Sequence, residues 1–93
     1  MRDESALIRS DDVLSSDLRG EVVLLKPETG DCYSLTGAGA VIWRAATEPR
    51  CVDELAEAVC REYDVSPEQA MEDVEAFLAQ LVGEGLIVRA AIA

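Results

Sequence analysis

The stretch Glu21-Val-Val-Leu-Leu-Lys-Pro-Glu-Thr-Gly-Asp-Cys-Tyr-Ser-Leu35, followed at once by Thr36-Gly-Ala-Gly-Ala-Val-Ile-Trp43, decides the fold. Val22–Leu25 is a continuous apolar run suited to a central strand. Lys26-Pro-Glu-Thr-Gly30 carries the proline and glycine of a hairpin turn, and the chain returns through Asp31-Cys-Tyr-Ser-Leu35. Upstream, Val13-Leu-Ser-Ser-Asp-Leu18 supplies a first strand. Three antiparallel strands in a meander leave 31–35 at an edge, and an edge presents unpaired N–H and C=O groups that a protein must cover or use. Thr36 then caps a helix whose apolar residues Ala38, Val41, Ile42 and Ala45 recur at i, i+3, i+4 and i+7. Trp43 lies beside that stripe and reads as a flank of the core, in preference to a ligand contact.

Beyond Thr47-Glu-Pro-Arg50, Val52-Asp-Glu-Leu55 opens a second helix with Leu55, Ala56, Val59 and Cys60 on one side. The clearest helix start is Ser66-Pro67, with Ser66 as cap, proline at the first helical position and Gln69 three residues after the cap. This third helix is expected to run to about Val82. Its stripe of Ala70, Met71, Val74, Phe77, Leu78 and Leu81 is wider than a single seam needs. Met71, Val74, Leu78 and Leu81 make a self-sufficient core line, so Phe77 is the expected exposed member. Gly83 and Gly85 stop the helix, and Leu86-Ile-Val88 adds a short extended piece. The expected fold is α+β, winged-helix-like: a three-stranded antiparallel meander followed by three helices, in one domain over 1–93. Residues 1–10 and 90–93 are expected to fray around an ordered core of about 6–88.

Composition removes whole classes of function. The 93 residues hold 19 Asp and Glu against 8 Lys and Arg, for a net charge of −11. No apolar run approaches the ~20 residues of a membrane span, and the first residues lack a basic segment followed by an apolar one, so a cytoplasmic protein without membrane contact is expected. Cys32, Cys51 and Cys60 form no Cys-x-x-Cys pair, which reads as reduced thiols, not as a disulfide framework or zinc ribbon. The chain has no histidine, so the usual base for a nucleophilic thiol or hydroxyl is missing, and catalytic residues, metal ligands and cofactors are all expected to be none. Gly37-Ala-Gly39 lacks the residues of a phosphate-binding loop. A winged-helix DNA-binding regulator is a third reading, but between Arg61 and Arg89 no cation interrupts Glu62, Asp64, Glu68, Glu72, Asp73, Glu75 and Glu84. A helix bearing these carboxylates would enter a field of phosphates, so no nucleic-acid partner is expected. Most of these acids read as a solvated face.

The order and spacing of Tyr33-Ser-Leu35, Gly39-Ala-x-Ile-Trp43, Val52-Asp-Glu-Leu55, Tyr63-Asp-Val, Asp73-Val-x-x-Phe-Leu78 and Gly85-Leu-Ile87 resemble the PqqD-like family of peptide-recognition domains across roughly 13–88. Cys51 departs from the helix-capping threonine of many relatives, which puts that cap in question. The resemblance implies a non-catalytic domain that binds the leader segment of a ribosomally made precursor. The leader would add as a strand to the meander's third strand and pack toward the third helix. That assigns peptide binding to Asp31, Cys32, Tyr33, Ser34 and Leu35, with Asp73, Val74, Phe77, Leu78 and Leu81. The match looks closest to free-standing lasso-peptide proteins, implying a leader peptidase and a cyclase as partners. A chaperone presenting its precursor to a radical SAM enzyme is the alternative. Whether Cys32 and Ser34 or Tyr33 and Leu35 form the outward set stays open at this stage.

Overall fold

The computed structural model describes residues 6–90, and the hairpin read from the sequence is its centre. Strands β1 (Ala6–Arg9), β2 (Leu14–Leu18), β3 (Glu21–Lys26) and β4 (Asp31–Leu35) precede helices α1 (Gly37–Ala45), α2 (Val52–Glu62) and α3 (Pro67–Gly83), and β5 (Ile87–Ala90) follows. β2, β3 and β4 form the expected antiparallel meander in that spatial order. Its turn closes with the Thr29 and Gly30 N–H groups both donating to the Lys26 carbonyl. Gly30 takes a φ of 80°, which a side chain would strain.

The register settles which strand faces look inward. Val22 pairs with Leu35 and Leu24 with Tyr33, so these four share the face that carries the buried Val22 and Leu24. Cys32 and Ser34 occupy the opposite face and are exposed. On the inner face Asp17 of β2 takes two hydrogen bonds from Arg44 of α1, each 2.8 Å, which tie the sheet's far edge to the helix. Arg44 holds the Asp17 carboxyl below its usual range, chiefly through that bond.

α1 is more enclosed than its stripe suggests, because Gly39, Ala40, Val41, Ile42 and Trp43 are all buried while Ala38 and Ala45 are half-buried. The helix lies between the sheet, α2 and α3, so it buries almost its whole circumference. Trp43 is a central core residue, not a flank, at 1% exposed. Thr36 occupies the N-cap position of α1, but its side chain makes no capping bond. α2 buries Leu55, Ala56 and Val59 as expected, with Cys60 half-buried. Its cap survives the cysteine, since Glu54 reaches back to accept the Cys51 N–H at 3.0 Å in a capping box. α3 starts as predicted, Ser66 Oγ accepting from the Gln69 N–H at 3.1 Å, whereas the Gln69 side chain bonds Asp73 instead of the cap.

The fraying expected at the chain ends is corrected where they are described, while residues 1–5 and 91–93 lie outside the described residues. Residues 6–9 and Ala90 are not frayed: β1 and β5 form an antiparallel pair, Ala6 opposite Ala90 and Arg9 opposite Ile87. The same segment is stitched to the helices by reciprocal Leu7–Arg50 main-chain bonds of 2.8 and 3.0 Å, and Arg9 donates from Nε to the Trp43 carbonyl. The Arg9 guanidinium also stands 4.9 Å over the indole, a cation–π geometry. Burying Ala6 and Leu7 against that frame outweighs the fraying that its position near the chain end suggests.

Candidate functional site

Among the described residues β4 pairs only with β3, which leaves its second edge open to them. Beside that edge runs a groove of about 270 Å³, walled by Tyr33, Ser34 and Leu35 on the strand and by Phe77, Gln80 and Leu81 on α3. Glu84 and Leu86, just past the helix, complete it. The lining is predominantly apolar, as in sites that bind by shape with a few orienting polar groups.

Each wall has a local cause. Tyr33 and Leu35 turn inward by strand alternation, and both are half-buried. On α3, Val74, Leu78 and Leu81 point into the core at 0, 6 and 4% exposed, which leaves Phe77 half-buried at the margin of the stripe. Its ring lies against the backbone of α1: a Cβ placed on Gly39 would come within 3.2 Å of Phe77 Cε1. Gly39 therefore lets the ring sit low, as a floor of the groove. Gly85, at φ 78°, reverses the chain after α3 and brings Leu86 back beneath the groove.

The far end is polar. The Tyr33 hydroxyl donates to Glu84 Oε1 at 2.9 Å, and Lys26 Nζ donates to the Glu84 carbonyl at 2.7 Å. These two bonds join the strand pair to the end of the helix. The bond to Glu84 is also the main reason that Tyr33 ionises above the usual tyrosine range, with desolvation second.

Of the residues singled out from the sequence, Tyr33, Ser34, Leu35, Phe77 and Leu81 come together in the groove. Asp31 and Cys32 continue the same strand toward the turn without lining it; Asp31 accepts a hydrogen bond from Thr29. Val74 and Leu78 lie in the core beneath the groove and do not open into it. Asp73 sits one helical turn before Phe77, bonded to Gln69. Gln80, Glu84 and Leu86 were missed. Gln80 follows Phe77 by i+3 and was legible as its neighbour on the same face, whereas Glu84 and Leu86 reach the groove only through the turn at Gly85. On the solvent side of α3, Glu68, Glu72 and Glu75 are exposed. No helix among the described residues is long and apolar enough to cross a membrane.

An open strand edge beside an apolar helix-walled groove defines a class: a domain built to take an extended segment of chain. The particular family follows from comparison. The profile of the PqqD family, coenzyme PQQ synthesis protein D, matches residues 21–87, and the chain belongs to that family. The solved structure of TbiB1 in complex with the TbiA(beta) leader peptide is similar at 33% identity and a TM-score of 0.80, over 91% of this chain and 99% of that one. A lasso peptide synthetase B1 complexed with the leader peptide shares the fold at 20% identity and a TM-score of 0.75, over 88% of this chain and 96% of that one. No curated protein matches the sequence.

Proposed function

We propose that this protein binds the leader segment of a ribosomally synthesised precursor peptide, as an added strand on β4, and delivers it to separate processing enzymes. The observation that carries the reading is the free edge of β4 running along a groove floored by Phe77, Leu81 and Leu86. An extended peptide there gains main-chain hydrogen bonds from Asp31–Leu35. Its alternate side chains drop between Leu35 and Phe77, so the backbone supplies affinity and the groove supplies selection. The 33% identity to TbiB1, a protein solved with a leader peptide, supports the same assignment.

The domain acts as a binding subunit, not as a catalyst. The groove's polar groups are Tyr33, Ser34, Gln80 and Glu84, with Glu84 hydrogen-bonded by the Tyr33 hydroxyl, and the chain has no histidine to activate a hydroxyl or thiol as nucleophile. By holding the precursor it raises the substrate's effective concentration at its partners, a leader peptidase and a lasso-forming cyclase. These partners and a cytoplasmic setting fit the reduced cysteines, all three of which are free. The test is a calorimetric titration with the leader segment of the precursor encoded beside this chain, with the TbiA(beta) leader as a defined second probe. Saturable one-to-one binding, lost on placing proline in β4, is the expected result; no binding of the cognate leader would overturn the proposal.

A further inference from the structure

Among the described residues, Glu84 is the only carboxylate lining the groove. It occupies the C-cap of α3, where unpaired carbonyls make the negative end of the helix dipole, and the last turn of α3 carries no basic residue. The Tyr33 hydroxyl fixes the carboxylate through Oε1. An ionised carboxylate accepts about four hydrogen bonds, so capacity remains after that one. Lys26 is the single lysine of the chain, and its ammonium is directed at the Glu84 carbonyl. Arg44, Arg50 and Arg61 form their ion pairs with Asp17, Glu48 and Glu57, away from the Glu84 carboxylate. An apolar trough of Leu35, Phe77, Leu81 and Leu86 thus ends on an oriented negative charge, within a chain of net charge −11.

We propose that this end of the groove is a cation subsite: the bound peptide carries a Lys or Arg at a fixed spacing from its apolar anchors, and Glu84, positioned by Tyr33, selects it. The inference rests on the reading that a peptide occupies the groove. Because Lys26 already holds the Glu84 carbonyl, an incoming ammonium or guanidinium meets the carboxylate itself, at the exposed end of the apolar trough. The acidic field of the whole chain draws such a peptide in before contact, so association slows as salt rises.

The experiment pans one library of random linear peptides, at low salt, against the wild type and against Glu84→Arg. Glu84 is exposed, so the exchange leaves the core alone. The wild-type pool should be enriched in a basic residue at constant spacing from apolar ones. The Glu84→Arg pool should lose that residue and gain Asp or Glu at the same spacing. An individual basic peptide should bind Glu84→Gln about fivefold more weakly than wild type, and Glu84→Arg more weakly still. Tyr33→Phe keeps the ring but frees the carboxylate, so it should lower the ratio of basic to neutral peptide affinity, and an unchanged ratio would overturn the positioning role of Tyr33. Identical charge preferences in the two pools, or no basic position in the wild-type pool, would overturn the subsite. Failure of the underlying reading looks different: no peptide would be enriched, or the enriched peptides would bind Phe77→Ala as well as the wild type.

Discussion

Replacing Phe77 by alanine separates the groove from the core. A fully buried phenylalanine costs ~3–5 kcal/mol of folding when cut to alanine. Phe77 is only half-buried, with one side of its ring on Gly39 and the other on the groove, so roughly half that loss, about 2 kcal/mol, is expected. For a domain of this length each kcal/mol moves the melting midpoint by about 4–8 °C, so a drop of about 10 °C with cooperativity retained is expected. Binding should suffer more sharply. A central anchor typically contributes ~2 kcal/mol or more, about a thirtyfold rise in Kd. Scanning calorimetry gives the first number; isothermal titration with the leader, well below the lower midpoint, gives the second. A variant that melts without cooperativity would place Phe77 in the core proper. A stable variant with unchanged affinity would remove the peptide from this groove.

Four further outcomes follow from the same geometry. Gly39→Ala gains up to about 1 kcal/mol of helix propensity but presses on the Phe77 ring, which has room to move only into the groove; leader binding should weaken while the midpoint hardly moves, and a large loss of stability would show that the ring cannot shift. Proline scanning across Cys32–Leu35 should reduce binding with little destabilisation at alternate positions, where the N–H faces the open edge, and destabilise the sheet at the others; uniform effects would argue against strand addition. Tyr33 titrates above the ordinary tyrosine value of about 10, so its bond to Glu84 contributes stability below that pH and loses it as pH rises through the folded value. Ultraviolet titration should show the Tyr33 transition moving down in Glu84→Gln, and no movement would discount the bond. Asp73→Lys, one turn outside the groove, should change leader affinity by no more than about twofold, and a large effect would extend the site along α3.

The meander and the three helices were legible because their signals are local: the Lys26–Gly30 turn, the apolar run of β3, and the Ser66-Pro67 start of α3. The β1–β5 pair was not, because Ala6–Arg9 is a short segment whose partner lies almost a whole chain length away and no turn between them announces it. The site was half legible. Strand 31–35 followed from the order of the meander, and Phe77 from the excess width of the α3 stripe. Periodicity assigns residues to one helix face but does not say where on that face a neighbour stops covering it. Val74 and Leu78 share the face with Phe77, yet they lie under α1 and α2 packing while Phe77 lies at the margin. Glu84 and Leu86 depend on the direction the chain takes after Gly85, which no repeat encodes.

Amide hydrogen exchange along β4, with and without the leader peptide, bears most closely on whether the peptide joins this sheet. The edge-facing amides among Asp31–Leu35 should exchange freely in the isolated protein, since nothing among the described residues pairs with that edge. Strand addition predicts that they become protected on saturation with leader, in an alternating pattern, along with protection near Phe77. Saturated binding that protects amides elsewhere and leaves β4 unchanged would contradict it.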